Sequence, residues 1–229
     1  MIGRAQYSRV MNVLAIDTST SACSAALLRN GQVVAHRLTV MSRGQSEALM
    51  PMIKAVLDES GLTVAGLDLL AVTVGPGAFT GLRIGLAAAR GFALAAGLPL
   101  AGVPTPLAVA AAIPESEREG RTVVVALESR RDDPWVQLFR ADLTPLSAVE
   151  ALSPAALAPR LTGPVLVAGD AAARILAAIP GAVAASSPGW PDAAIVARVG
   201  EDLWREGRAL PAEPLYLRAP DVTLPGPPS

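Results

Sequence analysis

Between Asn12 and Val40 the apolar residues come in three runs, NVLAID, ACSAALL and QVVAHRLTV, and the last two are separated by RNGQ. Asn30 and Gly31 both tolerate the positive φ that a type I′ turn demands, so the three runs predict an antiparallel meander closed by a tight hairpin. The period then changes. From about Ser46, Leu49, Met52, Ile53, Val56 and Leu57 fall on one helical face, with Gly61 where a helix C-cap belongs. Pro51 either kinks this helix or begins it. The run LDLLAVTV, residues 67–74, predicts a strand buried on both faces. It leads into the glycine-rich segment VTVGPGAFTGLRIG (72–85), a long helix from about Thr80 to Ala96 and a short strand, LPLAGV.

Three antiparallel strands followed by alternating helix and strand is the order of a ribonuclease H-like half-domain. A polar link, IPESEREGR, opens a second set of elements: strands at TVVVAL and WVQLFRA joined by the charged ESRRDDP loop, a strand at GPVLVAGD running into a helix near Asp170, and a last helix over roughly Asp192 to Arg205. The tail LPAEPLYLRAPDVTLPGPPS is too rich in proline for regular structure. The pattern predicts an α/β chain of two similar halves. It divides into an N-terminal extension (1–11), a first subdomain (12–112), a second subdomain (113–218) and a mobile tail (219–229).

Composition narrows the function classes. An apolar fraction of 52% in 229 residues supports a substantial core. The apolar stretches are interrupted well short of the ~20 residues a bilayer span needs. The N-terminus has no apolar segment of signal-peptide type ahead of Val13, so a cytoplasmic protein without a membrane partner is expected. Nineteen basic and twenty acidic residues give a formal net charge of -1, and only eight side chains are aromatic. Autonomous nucleic-acid binding, which needs a basic face and stacking platforms, is not indicated. The single cysteine, Cys23, rules out an internal disulfide and reads as a small buried hydrophobe.

The glycine segment fits neither common nucleotide loop. A Walker A loop requires Lys-Ser/Thr after its last glycine, whereas Leu82 and Arg83 follow Gly81. The dinucleotide spacing fails by one residue, because its third glycine position falls on Thr80. What remains is a strand, a Gly-Pro-Gly turn and a helix with Thr80 as its expected N-cap, so Gly75, Gly77 and Thr80 are candidate anion-binding positions. The competing expectation is a turn that only reverses the chain. Gly77, Gly81, Gly85, Ala89, Ala93 and Gly97 recur every fourth residue and form a ridge that another backbone can approach closely. That ridge suits either the protein's own sheet or a partner helix, and Met50 and Met52 on the first helix favour an adaptable interface. In AIDTSTSA (15–22), Asp17 ends a strand and Thr18 follows it in a hydroxyl-rich turn. This is the place where actin-like and sugar-kinase folds present a first phosphate loop, although Asp17 also suits a turn-stabilising carboxylate.

Taken together, LAIDTSTSACSAAL, LAVTVGPGAFTGLRIGLAAARGFAL, GLPLAGVPT and the terminal P-LYLR resemble the bacterial TsaB (YeaZ) family over roughly residues 12–218. The resemblance implies a duplicated ribonuclease H-like fold of the actin-like ATPase and sugar-kinase type. It also implies a non-catalytic role in making threonylcarbamoyladenosine beside the anticodon of tRNAs that read codons starting with A. In that family the protein dimerises with the catalytic subunit TsaD, is joined by TsaE in an ATP-dependent way, and works with a TsaC-type enzyme; it forms a homodimer when alone and meets tRNA only through the complex. The dimer forms through the first two helices, which assigns partner contact to Leu49, Met52, Ile53, Val56, Gly81, Gly85, Ala88 and Ala89. No cofactor of its own is expected, with ATP or ADP only at a shared interface.

One histidine, His36, excludes the H-x-x-x-H pair that a TsaD-type metal site requires, so no metal is expected. The chain departs from the family pattern at Gln45, which stands where relatives carry histidine, and at Glu128-Ser129-Arg130, which replaces Asp-Ala-Arg. The alternative from another class is a small-molecule kinase or ATPase of the same fold using Asp17.

Overall fold

The computed structural model describes residues 10–129 and 131–217. The first half contains β1 (Asn12–Asp17), β2 (Ala22–Arg29), β3 (Gln32–Val40), α1 (Gln45–Ser60), β4 (Leu69–Gly75), α2 (Phe79–Ala96) and β5 (Leu100–Pro104). α3 (Thr105–Ala111) and the single turn α4 (Glu115–Arg118) lead to β6 (Thr122–Leu127), β7 (Trp135–Phe139), β8 (Glu150–Ala151), α5 (Pro154–Leu157), β9 (Val165–Ala168), α6 (Ala172–Leu176), β10 (Val183–Ala184) and α7 (Ala193–Arg205).

The first sheet has the order β3-β2-β1-β4-β5 and the second β10-β9-β6-β7-β8, the same order seen from opposite ends. In each, the first strand pairs antiparallel with the second and parallel with the fourth. The repeat is that of a duplicated ribonuclease H-like fold of the actin-like ATPase type. The expected hairpin is present, with positive φ at both Asn30 and Gly31. Gly61 caps α1 in the left-handed conformation.

Two faces of the first sheet explain why β1 and β4 read as unbroken apolar runs. On one face Leu14, Ile16, Leu70 and Val72 pack under Leu49, Ile53 and Val56 of α1 and Leu86 and Ala89 of α2. On the other, Val13, Ala15, Leu69 and Ala71 pack under Ala193, Val196 and Ala197 of α7. The last helix, expected with the second half, therefore covers the first sheet. Gly200 makes the fit close, since a Cβ there would lie 2.6 Å from the Ala71 Cβ. Ser24 Oγ, on β2, accepts a hydrogen bond from the Ala193 N–H at 3.0 Å, and His36 Nε2 lies 2.9 Å from Asp192 Oδ1, so the sheet also holds the start of α7.

Beyond α7, residues 208–217 run back along the first sheet as a strap. Leu210 bridges to Gly102 on β5, and the Leu215 N–H donates to Val74 O at 2.8 Å. Two local expectations are corrected. α1 begins at Gln45 and carries Pro51 inside it, so the proline does not start the helix. α2 begins at Phe79 behind Ala78, not at a Thr80 cap, because the chain enters it directly from the Gly75–Gly77 turn. The tail 219–229, Arg218, Arg130 and most of the N-terminal extension lie outside the described residues.

Candidate functional site

The β1–β2 turn and the start of α2 meet face to face. Thr18 Oγ1 donates to Gly81 O at 2.6 Å, and the Ala78 N–H donates to Ser19 O at 2.7 Å. A Cβ at Gly77 would sit 2.2 Å from Ser19 O, one at Gly81 2.1 Å from Thr18 O, and one at Gly85 2.6 Å from Thr18 Oγ1. The first three positions of the small-residue ridge, Gly77, Gly81 and Gly85, are thus packed by the protein's own first turn, through the Ser19 and Thr18 carbonyls and the Thr18 hydroxyl.

The candidate anion positions Asp17, Thr18, Gly75, Gly77 and Thr80 differ in access. Asp17, Thr18 and Gly75 are buried, Gly77 is half-buried, and one amide at the helix entrance, that of Ala78, is already bonded to Ser19 O. Thr80 is exposed in the first turn of α2. Asp17 itself is a turn carboxylate: its Oδ1 accepts from Ser19 Oγ, the Ser19 N–H and Thr73 Oγ1, while Oδ2 is buried without a hydrogen-bond partner. Burial raises its pKa to about 6 against the opposing hydrogen bonds from Ser19 and Thr73, with Asp192 adding a smaller upward push. Cys23 is buried next to it, and burial followed by the Asp17 charge pushes the thiol up to about 11.

The eight positions assigned to partner contact divide. Leu49, Ile53, Val56, Gly81, Gly85 and Ala89 are buried within this chain, Ile53 at the floor of a groove; Met52 and Ala88 are half-buried at the edge of the same core. The helical face that defines the apolar stripe is the face that the sheet consumes. The outward surface is one step round each helix, where Met50 (51% exposed) and Leu94 (87%) stand with Ala87 and Gly91. Between the helices lies an apolar groove of about 340 Å³ lined by Met50, Ile53, Lys54, Leu57, Leu62 and Phe92. Its signal in the sequence is Met50, apolar but out of phase with the buried stripe.

Gln45 is buried at the start of α1 and donates through Nε2 to Met41 O at 3.2 Å. In the second half, Glu128 follows β6, its N–H donating to Asp170 Oδ1 at 2.8 Å and its carboxylate lying 3.5 Å from Arg174. Asp170 is raised above the ordinary carboxylate value, mainly by burial. Among the described residues no group of three or more His, Cys, Asp or Glu could hold a metal, and no helix is long and apolar enough to cross a membrane.

Residues 37–137 match the family model described as TsaD: tRNA N6-adenosine threonylcarbamoyltransferase. An uncharacterized protein of Mycobacterium tuberculosis is 37% identical over 216 residues, covering 93% of this chain and 95% of that one. The tRNA threonylcarbamoyladenosine biosynthesis protein TsaB of Escherichia coli is 38% identical over 133 residues, 58% of this chain and 56% of that one. Among solved structures, YeaZ from Pseudomonas aeruginosa superposes with a TM-score of 0.79 at 28% identity, covering 90% of this chain and all of that one.

Proposed function

The chain belongs to the TsaB (YeaZ) family, and from that premise we propose that it is a non-catalytic subunit in the synthesis of threonylcarbamoyladenosine on tRNAs reading codons that start with A, binding and activating a TsaD-type catalytic subunit. The observation that carries this reading is the closed first turn. Where a kinase of this fold would seat phosphate, the carbonyls of Thr18 and Ser19 lie on Gly81 and Gly77, and the helix start is already bonded to Ser19. The close packing of this turn on α2 supports the non-catalytic reading over the kinase or ATPase alternative.

The apolar groove between α1 and α2 supplies a docking surface. The TsaD model matches residues 37–137, a span that includes both helices, so a TsaD-type subunit offers a related helix pair and like can pack on like. TsaE and a TsaC-type enzyme complete the proposed assembly, a second copy takes the face when TsaD is absent, and nucleotide belongs at the shared interface.

The test is reconstitution. Purified TsaD, TsaE and a TsaC-type enzyme of the same organism are incubated with tRNA, threonine, bicarbonate and ATP, with and without this chain, and modified adenosine is measured. Modification that depends on the chain is expected, together with no ATP binding by the chain alone in calorimetry. Micromolar ATP affinity with turnover would instead favour the kinase.

A further inference from the structure

Two sequence motifs far apart in the chain meet at an exposed seam. Arg83, in the glycine segment, donates from Nε to the Tyr216 hydroxyl at 3.1 Å across 133 residues, and Arg90, seven residues along the same helix, donates from Nε to Ala212 O at 2.8 Å. The Arg83 guanidinium lies 3.7 Å over the Phe79 ring centre, and the Phe79 and Tyr216 rings are 6.0 Å apart. Phe79 and Tyr216 are more than half exposed, in a chain with only eight aromatics. Burial therefore does not explain why they stand here.

Both arginines are turned toward the strap through Nε. A guanidinium carries five donors in a fixed plane, so fixing Nε sets the direction of its Nη pair, the edge that receives a carboxylate side-on. α2 contains no acidic residue, and the strap brings one, Glu213, so the seam is net positive. It is also continuous with the docking groove. Phe92 lines the groove on one side of α2, the arginines lie on the other, and exposed Ala87, Gly91 and Leu94 join the two.

We propose that Arg83 and Arg90 form a basic rim of the docking face that pairs with carboxylates of the TsaD-type subunit, and that Tyr216 is a positioning residue that aims Arg83. This rests on the TsaD-binding reading above. Stacking on Phe79 and the bond to Tyr216 hold the cation in place before contact, which lowers the ordering needed on binding. The strap is thereby a part of the interface that the helix pair alone does not supply.

The test titrates purified TsaD from the same organism onto the full chain by calorimetry at about 50 mM and about 500 mM salt, where ion pairing across a surface is respectively strong and screened. Arg83→Met is expected to weaken binding about tenfold at low salt and to flatten its salt dependence, with Arg83→Lys recovering part of the loss. Tyr216→Phe, which keeps the ring, is expected to weaken binding about threefold by the same salt-sensitive route. Arg160→Met, on the second half, is expected to bind as wild type, and all variants to melt with the wild-type chain. Arg83→Met and Arg90→Met binding with wild-type affinity and salt dependence, beside a wild type that does bind, overturns the rim and leaves the TsaD reading standing. A wild type that fails to bind TsaD at either salt overturns both.

Discussion

Thr18 and Gly81, 63 residues apart, share a buried hydrogen bond of 2.6 Å and a contact so close that a Cβ at Gly81 would lie 2.1 Å from the Thr18 carbonyl. This pair joins the first turn of the sheet to the helix that carries half of the docking face. It predicts opposite effects for two glycines of one helix. Gly81→Ala gains about 1 kcal/mol of helix propensity but forces two backbone segments apart, for a net loss of about 3 kcal/mol or more. Gly91 faces open space, and Gly91→Ala is expected to stabilise by about 0.5–1 kcal/mol. Urea unfolding of the two variants measures the contrast.

Asp17 makes stability depend on pH in the less usual sense for a carboxylate. Its pKa rises from 3.8 to about 6 on folding, so between those values the native chain keeps a proton that the unfolded chain has released. Stability from this group is present in full below about pH 4 and is lost as pH rises through about 6, a difference of about 3 kcal/mol. Asp17→Asn retains an oxygen to accept from Ser19 and Thr73 and removes the charge. The variant is expected to be more stable than wild type at pH 8, with the gap closing toward pH 4. An unchanged pH profile in denaturant titrations would show that Asp17 does not control it.

Docking is expected to respond to residues just outside the buried stripe. Leu94→Asp and Met50→Asp place charge on the outward surface, and each is expected to reduce affinity for TsaD at least about tenfold with little change in melting temperature. Leu49→Asp, one residue from Met50, buries its charge under α1 and is expected to abolish folding. Equal loss of fold at Met50 and Leu49 would place both in the core.

A hydroxyl of the first sheet helps to hold the start of α7, beside the apolar packing of that helix and the His36–Asp192 contact. Ser24→Ala leaves the buried Ala193 N–H without its acceptor and is expected to cost about 1–2 kcal/mol. Hydrogen exchange resolved by residue is the more specific measurement, because the amides opening α7 should exchange faster while those of β1 and β4 keep their protection.

Much of this architecture was legible because it is written in short-range pattern. Asn30-Gly31 announces its hairpin through the φ values that the turn requires, and Gly61 ends α1 for the same reason. LDLLAVTV declares burial on both faces, which the structure explains by α1 and α2 on one side and α7 on the other. The candidate site was harder to place. Leu49, Ile53 and Val56 were visible as an apolar stripe, but a stripe has the same period whether a sheet or a partner covers it.

The chain by itself determined the order of its elements, the character of its turns and the failure of the glycine segment to match either nucleotide loop, since each follows from residue type and spacing over a few positions. Only the tertiary structure decided what those elements meet. That Thr18 and Ser19 fill the glycine ridge, that α7 returns to the first sheet through Ser24, and that Tyr216 reaches Arg83 are contacts across 63, 169 and 133 residues. Periodicity reports which side of an element must be covered; the identity of the cover is set by packing the whole chain, which brings the Ser19 and Thr18 carbonyls against Gly77 and Gly81.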